Sequence, residues 1–446
     1  MANERITWTS RIGFVLASAG AAVGLGAIWK FPYMAGTNGG SVFLFPYILL
    51  TFTVGLALLI AEIALGRLGK GGIVTTYRRL AGKAFLTAGY LGVVTGFLVL
   101  SFYSAIGGWT LSYFCEALVG QGLIADQSQL GAHFAEFTAN PVTALGFQWL
   151  FLVLNGLIVA FDVTKGIERV SKILMPLLFI LMLVLIVRGL MLPGAMEGVK
   201  FLFKPDPEAF TGEALLNAMG FAFFSLSVGS GSMMNYGSYL SDKVSIGPST
   251  AWIVCLAVMA SILGGLMIMP AVFAFGLSPD AGPGLTFATM PAVFGRMPFG
   301  DIFAVAFFLC LFVAALTSAI SILEMTSQHF VDRHGLKRRT SVLLVSTVLG
   351  LIGIVCALSF GPLSDVKLFG KTAFDLLDYV TSNIGMPIGC MGIAFVACFV
   401  SWKTTEAELS MNASWRPWAL RAFRLFAGIL APLLILVVAA KGIGLF

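Results

Sequence analysis

Two stretches carry most of the groups that could hold a small ligand. In Gly20-Ala21-Ala22-Val23-Gly24-Leu25-Gly26-Ala27-Ile28-Trp29-Lys30-Phe31-Pro32, three glycines, a lysine and a proline interrupt an apolar run that starts near Ile12. A Gly-x-Gly inside a helix loosens it and leaves N–H and C=O groups without intrahelical partners. The N–H groups near Leu25 and Gly26 can hold a carboxylate, and the carbonyls from Gly20 to Val23 can hold Na⁺ or an ammonium group. The same glycines would also serve as a close packing face between helices. The second stretch, Ser225-Leu226-Ser227-Val228-Gly229-Ser230-Gly231, repeats the Gly-x-Gly inside another apolar span, with hydroxyls just before it. Paired interruptions in corresponding halves of a chain point to an inverted-repeat transporter with its site near mid-depth.

Further polar groups lie in apolar surroundings. Glu62 is the one acid in its run and is expected to face protein and bind backbone amides, since a lone carboxylate in lipid is costly. Val99 and Tyr103 are four apart and share a helix face. Thr317 and Ser318 are adjacent hydroxyls deep in a span, which could bond to carbonyls one turn back. Gly166 is followed after nine residues by Pro176, a pairing that loosens or kinks a helix. The three histidines are His133, His329 and His334, all toward the ends of spans or in loops, and no Cys/His cluster exists. An intramembrane enzyme would need such a constellation.

These groups must be positioned by membrane helices. The 446 residues are 58% hydrophobic and 11% charged, with a mean hydropathy of +0.95; such composition belongs in a bilayer. Eleven apolar windows have about the length that a hydrocarbon core of roughly 30 Å demands: 12–36, 41–67, 85–119, 146–162, 168–191, 212–240, 248–276, 299–331, 340–360, 373–402 and 418–444. They are called helices 1 to 11 below. Most of the 27 lysines and arginines fall in loops that share one side, which places the N-terminus in the cytoplasm and the C-terminus outside. The pI near 9.0 therefore reports topology rather than nucleic-acid binding. All six cysteines lie within spans, so no disulfide is expected. The first residues are too polar for a cleaved signal. The chain reads as one transmembrane domain over 1–446, with 1–191 and 212–402 as two repeats and 418–444 as an added helix.

GAAVGLGAIWKFPYMAGTNGGSVFLFPY followed by AEIALGR resembles the opening of the neurotransmitter:sodium symporter family, in its bacterial amino-acid branch; FFSLSVGSGSMMNYGSYL and AALTS are similar to its helices 6 and 8. The resemblance runs from about Trp8 to Trp402. It implies an all-α integral membrane fold of eleven helices, built from two five-helix inverted repeats with helices 1 and 6 unwound. It implies that the substrate carboxylate meets Leu25, Gly26 and the Tyr103 hydroxyl, and its ammonium meets Ala22, Phe224, Ser225 and Ser227. The side chain would lie among Val99, Tyr103, Phe224, Ser227, Ser230, Ser318 and Ile322. A sodium cage would consist of Gly20, Val23, Ala314, Thr317 and Ser318. Glu62 would support the unwound part of helix 6, with a part in ion coupling as the alternative. Arg5 would close the inner gate against Asp332, with Ser238 and Tyr239 nearby. Lys30, in the place usually held by arginine, would close the outer gate against Asp378; lysine lacks the bidentate fork, so that gate should be looser. The Gly166–Pro176 spacing resembles a device for unwinding the cytoplasmic end of helix 5, a routine proline kink being the alternative.

The family pattern fails at one place. A first sodium site usually takes a side-chain amide from helix 1 and another from helix 7; Ala27 stands at the former, and Trp252 to Pro270 contains no Asn, Gln, Asp or Glu. Only Ala22 and Ser225 remain, too few oxygens for a dehydrated Na⁺. The chloride that balances that charge also lacks its ligands: Tyr47 and Ser225 persist, but Phe221 replaces an amide. One Na⁺ per substrate and no chloride are expected. Gly24, where the amine-transporting branch has an aspartate, favours an amino acid that brings its own carboxylate. The expected activity is sodium-coupled uptake of a neutral L-amino acid, medium to large and hydrophobic or aromatic, by alternating access in the cell's inner (plasma) membrane. A non-transporting amino-acid sensor of the same fold is the alternative.

Overall fold

Apart from one isolated bridge between Leu368 and Lys371, the described residues of the computed structural model form helices, turns and loops; they are 6–123, 129, 132–279, 285–411 and 415–442. Nine helices among them are long and apolar enough to cross a membrane: Ser41–Gly69, Lys83–Leu118, Pro141–Ala160, Val163–Leu190, Ile246–Ala274, Gly300–His334, Arg338–Leu358, Ala373–Val400 and Pro417–Gly442. These are helices 2 to 5 and 7 to 11. Helix 1 is a pair, Arg11–Ala22 and Gly26–Thr37, bent by 47° at its break. Helix 6 is also divided, into Gly212–Ser225 and Ser232–Gly237. Eleven membrane elements result, in the order expected.

Boundaries moved for local reasons. Helix 4 starts at Pro141 rather than 146, because the Asn140 side chain accepts from Val142 N and Thr143 N and proline suits a first turn. The start of helix 5 is helical, not unwound. A wide π-type turn over Val163–Glu168 leads into a continuous helix through Pro176, and Asp162 caps that turn through Lys165 N at 2.6 Å.

The two breaks sit where burial is greatest. Helices 3 and 8 pack along each other, and the first half of helix 1 lies against helices 5, 7 and 8. The most apolar window of helix 8 is 67% buried inside the protein, against 28% for helix 11, so helix 8 is central and helix 11 peripheral. Lipid-facing positions such as Leu49, Ile180, Val187, Leu343 and Leu433 are exposed, as hydrocarbon contact requires. Broken helix is thus confined to the protein-covered centre, the only place where unsatisfied backbone is tolerated in a membrane.

Candidate functional site

The helix 6 break is made by backbone that helices cannot adopt. Ser227, Gly229 and Gly231 have φ of +54°, +90° and +89°, and the glycines make two of these three turns free of side-chain strain. The freed donors are met by Glu62, fully buried in helix 2. Its carboxylate accepts from Gly229 N at 2.9 Å and Met234 N at 3.3 Å. Glu62 therefore holds the break open from behind.

The helix 1 break faces it. Val23 leaves helical geometry with φ −86° and ψ 58°, and the carbonyls just before it find side-chain donors. Ala21 O accepts from Ser227 Oγ at 2.9 Å and Ser318 Oγ at 3.0 Å; Gly20 O accepts from Ser318 Oγ at 3.2 Å. On the far side of the break, Leu25 N donates to Tyr103 Oη at 3.3 Å. A Cβ at Gly24 would overlap Ser318 Oγ and stand 3.1 Å from Tyr103 Oη, so only glycine lets helices 1, 3 and 8 meet here.

These groups line one cavity of about 340 Å³, within the range of small-molecule sites. All the residues anticipated for the substrate contribute to its wall: Ala22, Gly24, Leu25, Gly26, Val99, Tyr103, Phe224, Ser225, Ser227, Ser230, Ser318 and Ile322. The cavity continues past Trp29, Tyr33, Phe134 and Phe360 to Asp375 and Asp378. Backbone N–H groups with a phenol stand at one end of the break and carbonyls with hydroxyls at the other. That polarity suits a molecule with an anionic and a cationic end, and the aromatic walls suit an apolar remainder.

Among the anticipated sodium ligands, Gly20, Thr317 and Ser318 come together. A Cβ at Gly20 would stand 3.1 Å from the Thr317 side chain, and Thr317 Oγ1 lies 3.1 Å from Ala314 O. Val23 is buried at the end of the same half-helix. Neutral oxygens of this kind suit a hard monovalent cation. Around the positions anticipated for a first ion and its chloride, aromatic rings pack together and two hydroxyls pair with each other. Phe221 packs against Tyr47 at 5.0 Å and Phe31 at 5.9 Å between ring centroids, and Tyr47 Oη meets Ser261 Oγ at 3.0 Å. Helix 7 comes so close that a Cβ at Gly264 would overlap the Ala27 carbonyl.

The two ends of the cavity differ. At the Asp378 end, Lys30 Nζ lies 4.1 Å from the centroid of the Phe224 ring, and no ion pair within 4.0 Å joins it to Asp378, whose Oδ1 accepts from Ser382 Oγ at 3.0 Å. The anticipated Lys30–Asp378 pair is therefore not formed in this structure; the ammonium instead rests on the Phe224 ring. At the other end, Trp8 plugs the base of helices 1 and 6: its indole donates to Tyr236 O at 3.0 Å and its backbone N to Tyr239 O at 3.1 Å. Asp332 accepts from Gly72 N and Gln328 Nε2, each at 2.6 Å. Its anticipated partner Arg5 lies outside the described residues.

A buried ion pair that was not anticipated lies at this end. Glu324 of helix 8 pairs with Arg338 of helix 9 and accepts from the Tyr239 hydroxyl at 2.7 Å. By composition alone Arg338 is one more basic residue in a loop between spans. The signal was available, since an acid inside a span demands a partner, and Arg338 is the arginine at the start of the next helix.

A broken-helix membrane carrier with a small-molecule cavity between its breaks is what the fold and site define. A profile of the sodium:neurotransmitter symporter family matches residues 5–124 and 143–445, and the chain belongs to that family, whose members are sodium-dependent transporters rather than enzymes. It is 44% identical over 408 residues to the uncharacterized sodium-dependent transporter YhdH of Bacillus subtilis (strain 168), covering 91% of this chain and 90% of that one. A human sodium- and chloride-dependent taurine transporter is 27% identical, over 89% of this chain and 71% of its own length. Among solved structures, MhsT in complex with L-phenylalanine superposes with a TM-score of 0.91 at 39% identity, covering 98% of this chain and all of that one.

Proposed function

We propose that this transporter takes up a neutral L-amino acid together with one Na⁺, by alternating access, in the plasma membrane with its N-terminus cytoplasmic. One observation carries the reading: Leu25 N with Tyr103 Oη and the Ala21–Ala22 carbonyls with Ser227 flank one cavity, donors on one side of the break and acceptors on the other, as a zwitterion's two ends require. The carboxylate is assigned to Leu25, Gly26 and Tyr103, and the ammonium to Ala22, Phe224, Ser225 and Ser227. A medium to large apolar or aromatic side chain is assigned to the space toward Val99, Ser230 and Ile322. The structural neighbour bound to L-phenylalanine supports that size.

Na⁺ is assigned to Gly20, Val23, Ala314, Thr317 and Ser318. The apolar packing of Phe221, Tyr47 and Ala27 supports a single ion and no chloride. A zwitterion with one Na⁺ carries one charge inward, worth roughly 2.3 kcal/mol at 100 mV. The cavity runs to Asp378 while Trp8 plugs the opposite end, which supports an outward-facing state. Lys30–Asp378 then closes on substrate, and Arg5–Asp332 seals the inside. We read the chain as one domain with repeats over 1–191 and 212–402.

The test is thermal-shift screening of the purified protein against the twenty amino acids, with Na⁺ and with a larger cation in its place. A Na⁺-dependent shift for apolar amino acids, followed by accumulation into proteoliposomes, is expected. Shifts without accumulation would make the protein a sensor, and no shift with any amino acid would overturn the substrate class.

A further inference from the structure

Glu168 is a buried acid that the transport site does not use. It sits at the end of the wide first turn of helix 5 and is 1% exposed. Its carboxylate accepts from Thr9 N at 2.8 Å, from Ser10 Oγ at 3.1 Å and from the Thr9 hydroxyl, and it pairs with Lys172 Nζ at 2.7 Å. Ser10 Oγ in turn accepts from Gly13 N at 3.0 Å as the cap of helix 1. One carboxylate thus gathers the whole start of helix 1.

The fit is steric as well as polar. A Cβ at Gly13 would overlap the Glu168 carboxylate, so the acid occupies a slot that only glycine leaves. Seven residues further along each helix the pair touches again: a Cβ at Gly20 would stand 3.2 Å from Met175 Sδ, and Gly20 O is the carbonyl that meets Ser318.

We propose that Glu168 is a positioning residue that latches the foot of helix 1 to the first turn of helix 5, so that the two open together when the inner end opens. The inference rests on the alternating-access reading above. Opening the Val163–Glu168 turn withdraws the acceptor from Thr9 and Ser10, and moving helix 1 away leaves the carboxylate short of donors. Neither half-release is favourable, because it leaves the carboxylate with Lys172 alone and strips Thr9 and Ser10 of a charged hydrogen-bond acceptor. The Gly20–Met175 contact passes the same motion to the proposed sodium cage.

Two variants break the latch from opposite sides: Glu168→Ala removes the acid, and Gly13→Ala pushes it out of its slot. Hydrogen–deuterium exchange should rise about tenfold in both Arg11–Ala22 and Val163–Glu168 in each variant, and half-saturating Na⁺ for substrate binding should rise several-fold. The double variant should be no worse than Glu168→Ala alone, since the overlap has lost its partner. Additive effects, or faster exchange in only one of the two segments, would overturn the latch. If Glu168→Ala does not fold, Glu168→Gln supplies the comparison, and the exchange must still rise in both segments. Wild-type protein that shows no Na⁺-dependent amino-acid binding would sink the substrate reading while leaving the exchange result to judge the latch.

Discussion

The Tyr239 hydroxyl stands 2.7 Å from the Glu324 carboxylate, joining the foot of helix 6 to helix 8 beneath the substrate cavity. Arg338 holds the other side of that carboxylate and also donates to Val159 O at 2.7 Å. Helices 4, 6, 8 and 9 are thereby tied at one buried point.

Breaking this tie one partner at a time should be costlier than removing it whole. Arg338→Met leaves Glu324 buried without its counter-charge, at a cost of about 3 kcal/mol or more. Adding Glu324→Leu should recover most of the loss. Tyr239→Phe removes one hydrogen bond to a charged group and should cost about 1–3 kcal/mol. Unfolding midpoints in detergent rank the three variants; a double variant as unstable as Arg338→Met would contradict the pairing.

Tyr103 offers its hydroxyl where the carboxylate is assigned. Tyr103→Phe should weaken substrate binding by about 1–3 kcal/mol, roughly 5- to 140-fold, with little change in thermal stability. Equilibrium binding of radiolabelled amino acid measures it. Unchanged affinity would remove Tyr103 from the site.

Thr317→Ala with Ser318→Ala reduces the proposed sodium cage to three carbonyls and should abolish Na⁺-dependent binding. In the wild type, Na⁺ activation should give a Hill coefficient near one, and replacing chloride should have no effect. A coefficient near two would require a second ion, and Na⁺ dependence that survives the double substitution would place the ion elsewhere.

Ser230 turns its hydroxyl back onto Ser227 O at 3.0 Å, leaving its side of the cavity open. Ser230→Phe should fill that space and move the preference toward smaller amino acids. Competition of each amino acid against one labelled substrate gives the ranking; an unchanged order would exclude residue 230 from the pocket.

His133, in the short helix Ala132–Ala139, lies 2.6 Å from Glu116 near the C-terminal end of helix 3. That hydrogen bond raises the imidazole above its usual 6.5, with burial opposing and the Glu116 and Glu136 charges assisting. A raised value means that the bond stabilises fully below about pH 6.5 and fades as pH climbs through the shifted value. His133→Asn should therefore lower the unfolding midpoint at pH 6 and approach wild type at pH 9. Equal effects at both pH values would show that the charge plays no part.

The interrupted helices, the eleven spans and the family were legible in the sequence because each is a local or periodic property. Glycines at 20, 24 and 26 and at 229 and 231 weaken any helix that contains them, and a bilayer requires continuous apolar length wherever helix persists. The absence of an amide at Ala27 and throughout helix 7 was equally plain. Distance between remote side chains was not. Glu324 and Arg338 are 14 residues apart in the chain and meet because a turn brings helix 9 back beside helix 8. Lys30 could be named as a gate residue, but only packing shows it resting on Phe224 rather than paired with Asp378, because an ammonium near both a ring and a carboxylate is placed by helix positions. Glu168 and Gly13 carry no signal of their own in the chain. Their contact exists because helices 1 and 5, some 150 residues apart, approach closely enough that one side chain fills the space the other lacks.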